Sequence, residues 1–332
     1  MKRILVTGGA GYVGSVLVRY LLTSGRYSVT CLDNLRFGAE SLLGLEKDPN
    51  FRLANCDLTS FDAVDAVLKS EQFDGIVHLA AIVGDPACKN EPELATKINF
   101  DASVHLLQAA MEQRIRRFVF ASTCSNYGKM QGNGEYVDEE SPLAPVSLYA
   151  ELKVKVERFI LTEMPKVDWF APTCLRFSTV YGISPRMRFD LTVNEFTKDV
   201  AKGRELVVFG EQFWRPYCHV QDFARAIDTV LCAPREKVAY NVFNVGDTNE
   251  NYTKRMLVDE LVRQAPETKV RYVHRNEDPR DYKVDFAKIK STLGFGISRR
   301  VPDGISEIIG LVKSGSIPDT EDQRYYNIPH QA

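Results

Sequence analysis

The stretch "RILVTGGAGYVGSVLVRYLLTSG", residues 3–25, constrains the fold more than any other part of the sequence. A short apolar run ends on glycines and passes directly into a helix-period pattern. Gly8, Gly11 and Gly14 form a GxxGxxG spacing at the turn between strand and helix. Glycine lets such a turn tighten until the backbone can approach a pyrophosphate, which the free N–H groups and dipole of the next helix then attract. A tight turn that binds nothing is the alternative for a lone glycine pattern, so its meaning depends on the segments downstream.

Those segments repeat the unit. "SVTCLD" reads as a second strand and ends at Asp33, about 20 residues past the loop, where a carboxylate can accept hydrogen bonds from an adenosine ribose. An acid there repels a 2′-phosphate and favours NAD over NADP. Asp57 and Leu58, in "NCDL" after a third strand, are positioned for an adenine edge and face, and Leu79, Ala80 and Ala81, in "HLAA", end a fourth strand beside the phosphates. A core role suffices for His78. With the helix around "ASVHLLQAAMEQ" and the strand "RFVFAS", this alternation predicts an α/β chain with a Rossmann-type, doubly wound parallel sheet and right-handed crossovers.

The chain has 332 residues, 44% of them hydrophobic and 26% charged, enough to bury a full core as one large domain or two intimate ones. A net charge of −2 gives no general attraction for nucleic acid or an anionic membrane. The opening apolar run is too short for a signal segment and no later run approaches a membrane span, so the expectation is a soluble, cytoplasmic protein. Seven scattered cysteines read as reduced apolar residues, neither a disulfide framework nor a metal site. Beyond residue 180, prolines and arginines punctuate shorter elements. The expected division is a cofactor domain over 1–180, with a returning segment near 217–250 that includes "YNVFNVG", and a smaller C-terminal α/β substrate lobe mainly over 181–332.

"YAELK" places Tyr149 and Lys153 four residues apart, on one face of a helix. Such a pair is ordinarily just surface. Here it comes after a strand-end hydroxyl, Thr123 of "STCSNYG". For Tyr149 to act as a base near pH 7 its anion needs roughly 4 kcal/mol of stabilisation, for which a neighbouring ammonium and an oxidised nicotinamide are sources. Thr123 would then hold a substrate hydroxyl in line for proton removal.

Together with "LRFSTVYG", "WRPYCHVQD" and "FNVG", these motifs make the chain similar, over nearly its whole length, to the extended short-chain dehydrogenases/reductases of the nucleotide-sugar epimerase/dehydratase family, in the manner of UDP-glucose 4-epimerase. The resemblance implies tightly held NAD, a nucleotide diphosphate sugar as substrate, transient oxidation at sugar C4, and a homodimer joined through the helices around "ASVHLLQAAMEQ" and "ELKVKVERFILTEM". It adds Tyr12, Val13, Asn34, Asn99 and Phe177 to the cofactor side. It gives Arg215 as a pyrophosphate ligand, with Arg275 or Arg280 near a second arginine position, and Asn194 as a ligand of phosphate or sugar. Arg186 and Arg188 fall in a loop expected over the sugar.

In relatives that eliminate water across C5 and C6, the residue resembling Thr123 is followed by an Asp and a Glu. Here Cys124 and Ser125 stand there, which disfavours a 4,6-dehydratase and leaves a 4-epimerase as the main expectation. A 4-dehydrogenase that releases the ketone is the alternative, and a non-catalytic NAD sensor the alternative of another class. Leu152 where a Ser often precedes the lysine, and Thr179 where an Asn is common in 4-epimerases, depart from the family pattern.

Overall fold

The computed structural model describes residues 1–129, 135–274 and 280–328. The chain runs through β1 (Lys2–Thr7), α1 (Tyr12–Thr23), β2 (Tyr27–Asp33), β3 (Phe51–Asn55), α2 (Phe61–Ser70), β4 (Gly75–His78), α3 (Asp85–Asn90), α4 (Pro92–Thr96), α5 (Ala102–Glu112), β5 (Arg117–Thr123), β6 (Tyr136–Val137), α6 (Leu148–Arg158) and β7 (Ala171–Phe177). It continues with β8 (Thr179–Tyr181), α7 (Thr192–Ala201), β9 (Leu206–Phe209), β10 (Trp214–His219), α8 (Val220–Cys232), α9 (Arg235–Val238), β11 (Asn241–Val245), β12 (Asn251–Thr253), α10 (Lys254–Gln264), β13 (Val270–Val273), β14 (Lys283–Val284), α11 (Ala287–Leu293) and α12 (Val301–Lys313).

The inner strands are apolar along their whole length because helices cover both sheet faces: every residue of β7 is buried. Seven parallel strands pair in the order β11-β7-β5-β4-β1-β2-β3, which is the doubly wound arrangement expected from the alternation. Strand order reverses between β1 and β4, so the crevice at the C-terminal ends of these strands is where such a sheet receives a ligand. On one face Leu17, Val18 and Leu21 of α1 pack with Phe223, Ile227 and Val230 of α8. On the other, Leu68, Leu106, Leu107, Val156 and Ile160 join α2, α5 and the α6 region. Thus α8 and β11 return to this sheet after the chain has left it.

A second lobe is built on β10, parallel to β8 and antiparallel to β12. Tyr217, Val193, Phe196, Leu257, Leu261, Val301 and Ile305 fill its core. The lobes meet at Tyr12, whose hydroxyl donates to the Gly182 carbonyl at 2.5 Å and accepts from Asn194 Nδ2 at 3.1 Å. Among the described residues no helix is long and apolar enough to cross a membrane. Six cysteines are buried and Cys232 is exposed.

Candidate active site

The glycine turn is fixed by contact as well as by conformation. Gly8 has φ +72°, and a Cβ there would lie 2.7 Å from the Ala80 nitrogen. A Cβ on Gly14 would lie 2.1 Å from the Gly8 carbonyl oxygen, so the helix can approach the strand this closely only without one. With Gly11 at its N-cap, α1 starts without a side-chain cap or an acid in its first turn, which leaves the N–H groups around Tyr12 and Val13 for an anion. Asp33, at the end of β2, accepts from the Ala10 N–H at 3.0 Å and the Leu35 N–H at 2.8 Å. Burial pushes its carboxyl upward while these two donors pull it down. Asn34 donates to Asp57 at 3.2 Å. Asp57 also accepts from the backbone and hydroxyl of Thr59, which hold it below the usual carboxylate range, and Leu58 is buried. A tight glycine turn, an uncapped helix start and a carboxylate on the next strand are a donor and acceptor set that fits a dinucleotide.

His78 locks the neighbouring strand end. Ser103 donates its only hydroxyl proton to the Asn99 carbonyl, so across the 2.9 Å contact it accepts from His78 Nε2–H. Nδ1 therefore accepts from the Thr7 hydroxyl at 2.7 Å, and Thr7 in turn accepts from the Ala80 N–H at 3.3 Å. Burial pushes the imidazole down to about 3, so it stays neutral. Leu79 N–H bonds to the Thr7 carbonyl. Asn99 lies in a π-helical turn, Lys97–Asp101, and its amide is bonded to both the N–H and the C=O of Ile82 just after Ala81. Phe177 stacks on Phe223 at 4.1 Å.

Thr123, at the end of β5, is nearly buried, and its hydroxyl oxygen accepts from the Ser125 N–H at 3.1 Å. Ser147 starts α6 by accepting from the Ala150 N–H, and it donates to Asp85 at 2.6 Å. Tyr149 lies in the first turn of α6 and Lys153 in the second, with Lys153 facing β5. Lys153 is 2% exposed, donates to the Ala121 carbonyl at 2.7 Å and lies 4.6 Å from the Phe120 ring centroid and 5.9 Å from that of Tyr149. Burial lowers Lys153 to about 8 and raises the Tyr149 phenol above its ordinary value, with the charges of Cys88 and Asp85 pushing the same way and Arg188 opposing. Leu152 fits an apolar cluster with Ile82, Ala87 and Cys88, which accounts for an apolar residue before the lysine.

Of the two positions after Thr123, Cys124 turns into the core and Ser125 meets a tyrosine of the site. Cys124 is 1% exposed, donates to the Arg176 carbonyl, and has its thiol pushed well up by burial. Ser125 shares a 3.4 Å hydrogen bond with the hydroxyl of Tyr282. Beneath them lies a buried polar network that sequence patterning missed. Glu157, one turn past Lys153, accepts from Ser122 and Asn126 and pairs with Arg176 at 2.7 Å. Arg176 also donates to Tyr127, whose hydroxyl donates to Asn244.

From the second lobe, Arg215 stands 5.4 Å from the Tyr282 ring centroid and donates to the Trp214 carbonyl. Arg280 pairs with Asp85 at 3.0 Å, so it reaches the start of the Tyr149 helix. Arg275 lies outside the described residues. Asn194 is fully buried, and its amide serves Gly182 N–H, the Arg188 carbonyl and Tyr12. Arg188 pairs with Asp190, and the Arg186 guanidinium lies 4.1 Å over the Phe37 ring. Asp85, Ser147, Phe37 and Tyr282 join the site only through tertiary contact and carry no local motif.

The family model described as the NAD dependent epimerase/dehydratase family matches residues 4–246. The chain is 32% identical over 318 residues to a dTDP-glucose 4,6-dehydratase of Streptomyces niveus, covering 92% of this chain and 91% of that protein. It is 29% identical over 324 residues to YtcB, an uncharacterized UDP-glucose epimerase of Bacillus subtilis, covering 94% and 98%. The solved Thermus thermophilus UDP-glucose 4-epimerase in complex with NAD superposes with a TM-score of 0.79 at 25% identity, over 94% of this chain and 99% of that one. With the match running from β1 to the end of β11, this chain belongs to the NAD dependent epimerase/dehydratase family.

Proposed function

We propose that the protein is an NAD-dependent nucleotide-sugar 4-epimerase. The observation that carries this reading is the pairing of Thr123, Tyr149 and Lys153 with a buried Cys124 thiol and a Ser125 hydroxyl, where elimination chemistry would want an acid and a base. Thr123 orients the sugar C4 hydroxyl. Tyr149 takes its proton and later returns it, while Lys153 holds positive charge beside the phenol. NAD, when bound, supplies the acceptor and donor of the C4 hydride. Reduction of the 4-keto sugar on its opposite face inverts C4, with no proton removed from C5 and no hydroxyl lost from C6. Asp85, whose charge reaches Tyr149, is occupied by Ser147 and Arg280, which supports leaving it out of proton transfer.

The 32% identity with a dehydratase stands beside 29% with a UDP-glucose epimerase over a similar span, and does not choose between reactions. Arg215 and Arg280 suit a diphosphate because each offers a forked donor. Homodimerisation through α5 and α6 belongs to the same proposal, and light scattering should give twice the 37.5 kDa chain mass. The test is a panel of UDP-, dTDP- and GDP-sugars incubated with enzyme and NAD, followed by NMR and nicotinamide absorbance. A C4 epimer with no net NADH supports the epimerase. Stoichiometric NADH with a keto sugar would instead make it a 4-dehydrogenase, and a 4-keto-6-deoxy sugar would overturn both.

A further inference from the structure

Two arginines stand two residues apart in the loop between β8 and α7, and only one is neutralised within it. Arg188 donates through Nε and Nη2 to the two oxygens of Asp190, at 2.9 Å each. Arg186 is 6% exposed, and its Nε and Nη2 are both buried without a hydrogen-bond partner. Asp190 is the carboxylate whose charge reaches Arg186, yet both its oxygens are engaged by Arg188 and one also accepts from Asn327 N–H. The like charge of Arg188 adds to the burden, and with burial it lowers the Arg186 guanidinium to about 10. A buried guanidinium with unused N–H groups disfavours folding unless an anion completes it.

The surroundings say which anion. Phe37, under the guanidinium, lies four residues past Asp33 on the loop that leaves β2. Ser184, two residues before Arg186, donates to the Tyr12 carbonyl at 2.7 Å and contacts Ser15 Oγ at 3.1 Å. Gly182 accepts from the Tyr12 hydroxyl. The loop is therefore tied along the first turn of α1, the turn that begins without a side-chain cap. The geometry points to Arg186 as a ligand for the diphosphate of the dinucleotide, delivered from the second lobe to the first turn of α1 and steadied on Phe37. This rests on the dinucleotide reading of the crevice and differs from the sugar-side role expected from the sequence. A planar fork with two parallel N–H donors matches phosphate oxygens, and its charge adds to that of the helix start. Bound cofactor would then join the two lobes.

Calorimetric titration of the unaltered protein and of Arg186→Met with NAD, with ADP as the diphosphate fragment and with UDP as the substrate-side probe tests this. The expected result is at least tenfold weaker binding of NAD and ADP, UDP binding within twofold, and an unliganded melting temperature that is unchanged or higher because an unpaired buried charge is gone. Weakened UDP binding with NAD unchanged would return Arg186 to the sugar side and overturn the assignment. No change in either would reduce Arg186 to packing and overturn it as well. Failure of the unaltered protein to bind NAD would remove the dinucleotide reading itself. Should the Met variant not fold, Arg186→Lys keeps the charge without the fork: weaker NAD binding with UDP unchanged supports the assignment, and unchanged NAD binding overturns it.

Discussion

Lys153 holds its ammonium where water does not reach, with one carbonyl and two aromatic rings for company. Its folded value of about 8 lies below the unfolded lysine value of about 10.4, so between these the unfolded chain binds more protons and stability rises with pH. Below pH 8 the cost of the buried charge is fully present. Lys153→Met should therefore stabilise the protein at pH 7 by on the order of 3 kcal/mol, with the gain shrinking toward pH 10, while turnover collapses. Urea unfolding of both proteins at pH 7 and 10 checks the sign. Tyr149→Phe should lower kcat roughly a hundred- to ten-thousand-fold and leave NAD binding intact. Cys124→Ala separates the two chemistries: turnover within about threefold fits a buried structural thiol, against the loss of a hundredfold or more expected for a general acid.

At the scale of elements, α6 does two jobs with one face. In the proposed chemistry Tyr149 and Lys153 serve the crevice, and Glu157 one turn on anchors β5 and β7 through Ser122, Asn126 and Arg176. Replacing Glu157 by Gln leaves the Arg176 cation buried without its counterion, and should cost about 3–5 kcal/mol in chemical denaturation. This network explains why "STCSNYG" keeps a fixed shape without carboxylates of its own. The strand-helix alternation and the glycine turn were legible because they rest on local period and local backbone need. The Glu157–Arg176 pair was not, since a buried ion pair between α6 and β7 leaves no mark on either element's periodicity. Nor was Asp85, which reaches the site only because Ser147 and Arg280 meet it from distant parts of the chain.

At the scale of the whole molecule, the second lobe is set against the first through Tyr12. Tyr12 and Asn194 form that joint, a role the sequence did not show, since it marked Tyr12 for the cofactor and Asn194 for phosphate or sugar. Asn194→Ala leaves the Gly182 N–H and the Arg188 carbonyl short of a partner. We expect a loss of about 1–3 kcal/mol and a raised KM for the sugar nucleotide as the 182–191 loop loosens, read from melting and steady-state kinetics. In the proposed reaction only C4 is turned over. Running the reaction in D2O and reading the product by NMR tests it most directly, because elimination must remove the C5 proton and expose that carbon to solvent. A 4-epimerase gives a C4 epimer with no deuterium at C5 or C6. Deuterium at C5 together with loss of the C6 hydroxyl would contradict it.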